Sequence, residues 1–135
     1  MSMFSGELVR HSRGKTVTAF DGAGLAQLVL NSSDGHFNDD VMRDTAVGQS
    51  VVFGGLTLAF VVGLATLDAE LPVEELGLED VRFRAPVVHG DTLYAYTQAL
   101  GDEDGVVTLR HWGVNQRGEV VVELRRRVRR AGADD

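Results

Sequence analysis

The sequence predicts an α+β fold in which one antiparallel sheet of about five strands wraps around a long buried helix. Two observations predict it. Residues 50–67 carry no charge, are longer than an ordinary strand and are apolar all round, the pattern of a helix buried on most sides. From residue 78 onward the hydrophobic period changes to two and four strand-like runs follow one another. Consecutive antiparallel strands need a cover on one face, and the apolar helix supplies it. The chain has 135 residues and 44% hydrophobic content, enough for a single domain with its own core.

Taken in order, residues 1–13 form a lead segment, 14–130 the folded domain and 131–135 a short tail. A short strand lies within 14–20, where small and β-branched residues alternate before Asp21, a plausible helix cap. A helix over 22–30 stops at Asn31-Ser32-Ser33-Asp34-Gly35, a run of turn formers that leaves His36 on a polar loop. A helical turn is expected over 39–44 and the apolar helix over 50–67. An acidic connection covers 68–75, with Pro72 as breaker. The strands follow at 78–87, 91–100, 106–114 and 119–128, the last two joined by the hairpin turn Asn115-Gln116-Arg117-Gly118. Val81 and Phe83 share one face of the first of these, Arg82 and Arg84 the other.

Composition excludes several function classes. With no cysteine there is no thiolate metal site, iron-sulfur cluster, cysteine nucleophile or disulfide framework. Thirteen basic against twenty acidic residues, a net charge of -7, argue against general affinity for nucleic acid. The uncharged stretch at 45–67 is too diluted by glycine and polar residues to be expected to span a membrane. The start of the chain lacks the pattern of a secretion signal, so a cytoplasmic location is expected. The run Arg125-Arg126-Arg127-Val128-Arg129-Arg130 reads either as a solvated sheet face or as a source of one or two arginines for a ligand's phosphates. Arg126 has the parity of the apolar face and is expected at the sheet margin or a subunit contact.

Of the four histidines, His11, His89 and His111 are expected to be structural or exposed. His36 stands among Asn31, Asp34, Asn38, Asp39 and Asp40, and imidazole can carry a proton to or from water near neutrality. The second candidate element is Gly54-Gly55 at the start of the apolar helix, where free N–H groups and the positive dipole end could polarise a thioester carbonyl.

Residues 31–40, Val51-Val52-Phe53-Gly54-Gly55-Leu56-Thr57-Leu58, residues 78–93 and Val114-Asn115-Gln116-Arg117-Gly118-Glu119-Val120-Val121 together give a chain that resembles the MaoC-like dehydratases, the (R)-specific enoyl-CoA hydratase family of hot-dog proteins. It is most similar to their mesaconyl-CoA hydratase (β-methylmalyl-CoA dehydratase) branch. The resemblance implies a hydro-lyase interconverting 2-enoyl and 3-hydroxyacyl thioesters, carried on coenzyme A or acyl carrier protein, with no other cofactor and no metal. It also implies a homodimer or higher homo-oligomer. The family motif Asp-x-Asn-Pro-x-His places its histidine on His36 and its aspartate slot on Asn31. Where many members have His-Gly at the helix start, this chain has Phe53-Gly54. The implied roles are His36 as base, Asn31 orienting the water, Gly54 or Gly55 N–H at the enolate oxygen, and Asp34 or Asp39 as secondary acid or base. A hot-dog acyl thioesterase, using Asp34, Asp39 or Asp40, and a non-catalytic acyl-thioester binding or partner subunit are the alternatives.

Overall fold

A helix that is apolar all round needs walls on several sides, and the sheet supplies them. The computed structural model of the chain describes residues 4–66 and 72–131. Five antiparallel strands form one sheet in the order β1-β3-β4-β5-β2: β1 (Val9–Thr16), β2 (Val73–Phe83), β3 (Thr92–Glu103), β4 (Val106–Val114) and β5 (Val120–Arg130). Between β1 and β2 come two short helices, α1 (Leu25–Leu28) and α2 (Asp39–Met42), and then the core helix α3 (Gly54–Thr66). The α+β architecture read from the sequence is the one observed.

Several boundaries differ from the expected ones, and three of the starts have a clear cause. β1 starts at Val9, inside the expected lead segment, because His11 points into the fold and hides the alternation that Val9 begins. Helix α3 starts at Gly54 because the chain just before it is committed elsewhere, the Val51 and Val52 N–H groups bonding to the Gly35 and Val87 carbonyls. β2 starts at Val73, so Glu74 and Glu75 belong to a strand, while 68–71 of the expected acidic connection lie outside the described residues. At the entry to α1, Asp21 is not the cap expected of it. Its carboxylate accepts from the Thr18 N–H and hydroxyl, each at 2.9 Å, and its own N–H bonds back to Thr18 Oγ1, the reciprocal pattern of a capping box.

Helix α3 buries Leu56, Val61, Leu64 and Ala65 against Leu93, Ala95, Val121 and Val122 of the sheet. Its approach to β4 is close: a methyl group on Gly113 would lie 2.4 Å from Val61 Cγ2, so only glycine lets the helix settle there. The acidic β2 lies beside the basic β5, and the cross-strand neighbours Glu74 and Arg129 pair at 3.2 Å. The arginine run therefore alternates: Arg125 and Arg127 face outward, and Arg129 and Arg130 are held by Glu74 and Asp102.

Arg126 is the exception, and it is not at a margin. It is 1% exposed and sits on the inner face, where its guanidinium grips Glu75 through Nε and Nη2. Glu75 is the last paired residue before a register shift in β2, which falls between it and Gly77. Arg126 Nη1 also donates to His111 Nε2 and Thr66 Oγ1, both at 3.5 Å. Because arginine has no acceptor, His111 must accept at Nε2 and carry its proton on Nδ1, which it donates to Thr97 Oγ1 at 2.7 Å. The Thr97 hydroxyl then donates to His11 Nε2 at 2.7 Å. One polar line thus crosses β2, β5, β4, β3 and β1 in the order of the sheet.

Burial, reinforced by the charge of Arg126, pushes the His111 imidazole down to about 3 from its ordinary 6.5. A histidine whose folded pKa is depressed contributes stability that is whole above the unfolded pKa and is lost as pH falls toward the folded one. Unfolding free energy is expected to drop by about 2 kcal/mol between pH 7 and pH 5 from this group. Urea titrations at the two pH values check it, and a flat profile contradicts the neutral, buried His111.

Candidate active site

The loop carrying His36 is held against the start of α3 by one main-chain bond and one bond from the imidazole to the main chain. Turn formers at 31–35 close a short helical turn, Asp34–His36, in which the His36 N–H bonds to the Ser33 carbonyl. Val51 then clamps the loop from both sides of its peptide unit. Its N–H donates to the Gly35 carbonyl at 2.8 Å, and its carbonyl accepts from His36 Nδ1 at 3.0 Å. A carbonyl can only accept, so Nδ1 carries the proton and Nε2 of the neutral ring keeps a lone pair. The Phe53 ring lies across the imidazole, with centroids 5.6 Å apart and planes at 55°.

The same segment runs into α3. The Phe53 carbonyl accepts the Leu56 and Thr57 N–H groups, which makes Gly54 and Gly55 the first residues inside the helix. Neither glycine N–H has an acceptor among the described residues. They are the unsatisfied donors every helix start exposes, at the positive end of a thirteen-residue helix. A methyl on Gly55 would lie 2.8 Å from the Phe53 ring, and one on Gly54 would lie 3.0 Å from the Phe83 ring. The glycines keep both rings in place and leave the main chain accessible.

His36, Gly54 and Gly55 line a single cleft of about 510 Å³. Its other walls are mainly apolar, from Val51 to Phe53 and from Phe83 to Val87, with Arg84 as the one cation. A mostly apolar cleft with a few converging polar groups is the usual form of a small-molecule site.

A family model described as Mesaconyl-CoA hydratase matches residues 6–130. The chain belongs to the mesaconyl-CoA hydratase family. The mesaconyl-CoA hydratase of Haloarcula hispanica is 36% identical over 124 residues, which is 87% of this chain and 34% of that protein. The chain spans about a third of the length of the curated relatives it matches. Among solved structures, the (R)-hydratase from A. caviae involved in PHA biosynthesis superposes with a TM-score of 0.79 at 23% identity, covering 92% of this chain and 94% of that one. The MaoC-like dehydratase from Rhodospirillum rubrum gives 0.79 at 22% identity, covering 93% and 91%. The fold is the hot-dog fold that the sequence suggested.

In this family member the remaining site candidates do not reach the cleft. Asn31 is half-buried, and its Oδ1 accepts the Ser33 N–H at 3.2 Å, shaping the turn ahead of His36. Asp34 is exposed, with its carboxylate 3.5 Å from Asn38 Nδ2. Asp39 Oδ1 accepts the Ser50 N–H and hydroxyl, each at 2.8 Å, and these bonds hold its carboxyl below the usual range, with nearby His89 lowering it further. Asp39 borders a separate cavity of about 110 Å³ on another side of His36, together with Ser50 and His89. Sequence reasoning missed the Val51 carbonyl, the Phe53 ring and Arg84. A main-chain acceptor has no residue signature; Phe53 was legible only as a departure from the family pattern.

Among the described residues no three His, Asp or Glu side chains cluster as metal ligands, and no helix is long and apolar enough to cross a membrane.

Proposed function

We propose that the protein interconverts a 2-enoyl thioester and a 3-hydroxyacyl thioester by addition and removal of water. The observation that carries this reading is the convergence, in one apolar cleft, of a histidine with a free Nε2 and two unengaged helix-start N–H groups. The thioester carbonyl accepts from Gly54 or Gly55. His36 Nε2 takes a proton from water as the water oxygen bonds to the β-carbon, and the electron pair of the double bond moves toward the carbonyl oxygen. The enolate charge then lies at the positive end of α3, where an oriented donor is worth on the order of 10² to 10³ in rate. The proton on Nε2 passes to the α-carbon, which completes the addition and returns the imidazole to its starting form. His36 serves both steps because Asp34 and Asp39 are placed away from the cleft.

The family description favours a branched, dicarboxylic acyl group such as mesaconyl, with coenzyme A as the carrier. We also infer a homodimer: β1 and β2 leave open sheet edges, and Leu78 and Phe83 are half exposed on β2. The thioesterase alternative is disfavoured because no carboxylate lines the cleft among the described residues. The non-catalytic alternative draws support from Asn31, which is engaged in its turn. Incubating the protein with mesaconyl-CoA and crotonyl-CoA decides between them. Formation of the 3-hydroxyacyl thioester supports the hydratase, release of free thiol the hydrolase, and binding without turnover the partner subunit.

A further inference from the structure

The Val51 carbonyl holds the proton of His36 on Nδ1, so the direction of that carbonyl decides which ring nitrogen keeps a lone pair. Three successive N–H groups fix the segment that carries it. The Val51 N–H bonds to the Gly35 carbonyl at 2.8 Å, and the Val52 N–H to the Val87 carbonyl at 2.7 Å. A trans peptide points its N–H and C=O in opposite directions, so the Val52 bond turns the Val51 carbonyl away from Val87 and toward the imidazole. The Ser50 N–H is the third, and its acceptor is a side chain. Asp39 Oδ1 takes it at 2.8 Å, together with the Ser50 hydroxyl at 2.8 Å.

The hydration chemistry leaves this carboxylate without a task, yet the local structure aims it. Asn38 caps α2, its Oδ1 accepting the Val41 N–H at 3.1 Å, which makes Asp39 the first residue of that helix and places it one short turn after His36. The bonds from Ser50 hold the Asp39 carboxyl below its usual range, so it stays ionised and can only accept. A carboxylate serving only its own helix would accept from the N–H groups of that helix. The described hydrogen bonds of Asp39 go instead to Ser50, 11 positions along the chain. The contacts close a loop: His36 to the Val51 carbonyl, one residue back to Ser50, across to Asp39, and along the turn to His36 again. Of the three anchors on residues 50–52, Asp39 is the one supplied by a side chain. Resting on the hydratase reading, we propose that Asp39 is a positioning residue: by holding Ser50 it keeps the Val51 carbonyl on Nδ1 and leaves the Nε2 lone pair of His36 free for the reaction.

The test reads the imidazole itself. Nitrogen-15 spectra of the neutral His36 ring, assigned against His36→Gln, distinguish the Nδ1–H from the Nε2–H tautomer in the wild type, Asp39→Ala and Asp39→Asn. The wild type is expected to carry its proton on Nδ1 alone. Asp39→Ala leaves Ser50 untethered, and a second population with the proton on Nε2 is expected. Its kcat for hydration of mesaconyl-CoA or crotonyl-CoA should fall about 10- to 100-fold with KM nearly unchanged, the range for a displaced reacting group. Asparagine keeps an oxygen that accepts from Ser50, so Asp39→Asn is expected to recover most of both properties. A merely structural loss would lower the melting temperature and leave the tautomer alone. A single Nδ1–H tautomer in Asp39→Ala, or an Asp39→Asn variant as impaired as the alanine one, overturns the assignment. The spectra need no substrate, so the outcome is separate from turnover. A shifted tautomer in a protein that hydrates neither thioester would leave Asp39 as the group that holds the ring and remove the hydratase. An unchanged tautomer in an active hydratase would do the reverse.

Discussion

Replacing His36 with alanine is expected to lower hydration of an enoyl-CoA on the order of 10³-fold in kcat, with KM changed far less. Among the described residues the ring is the one base that lines the cleft, and its tautomer is set by a main-chain carbonyl that the mutation leaves in place. The loop has other anchors, including the Val51 N–H bond to Gly35, so the variant should fold. Steady-state kinetics and a thermal melt on the same preparation separate lost chemistry from lost structure. Turnover within tenfold of the wild type would remove His36 from the mechanism.

The largest effect on stability is expected at Glu75, a strand residue half open to solvent. It is the carboxylate that compensates Arg126, which is buried among Thr66, His111 and the sheet. Removing one partner of such a pair strands a charge, so Glu75→Ala should cost about 3 kcal/mol. Replacing the arginine as well removes the stranded charge, and adding Arg126→Met to the alanine variant should recover most of the loss. The double-mutant cycle by urea unfolding checks this. Simple addition of the two single losses would contradict a compensating pair.

Strands β3, β4 and β5 were legible because each buries one face, so their side chains alternate with period two from Leu93 to Val128. The core helix was legible because apolar residues surround it. β1 was less so, because the side chain that continues its inward alternation is a histidine. Arg126 betrayed its inward direction by parity alone, but the partner that makes burial tolerable comes from 51 residues earlier in the chain, in what read as a connection. The site follows the same logic. His36, Gly54 and Gly55 stood out by residue type and local context, and the fold brings them together. Asn31 was assigned through a motif slot, and locally its amide is engaged by the turn it helps to form. Arg84 could be placed on a face by alternation, but not beside a cleft that exists only once β2 lies against the start of α3.

The proposed hydration requires a thioester carbonyl seated at the start of α3 with its unsaturated carbons beneath His36. A crystal structure of the His36→Ala variant soaked with an enoyl-CoA tests this most directly. The carbonyl oxygen is expected at hydrogen-bond distance, about 3 Å, from the N–H of Gly54 or Gly55, with the β-carbon facing the vacated imidazole position. A carbonyl held elsewhere, or an acyl chain bound outside this cleft, would contradict it.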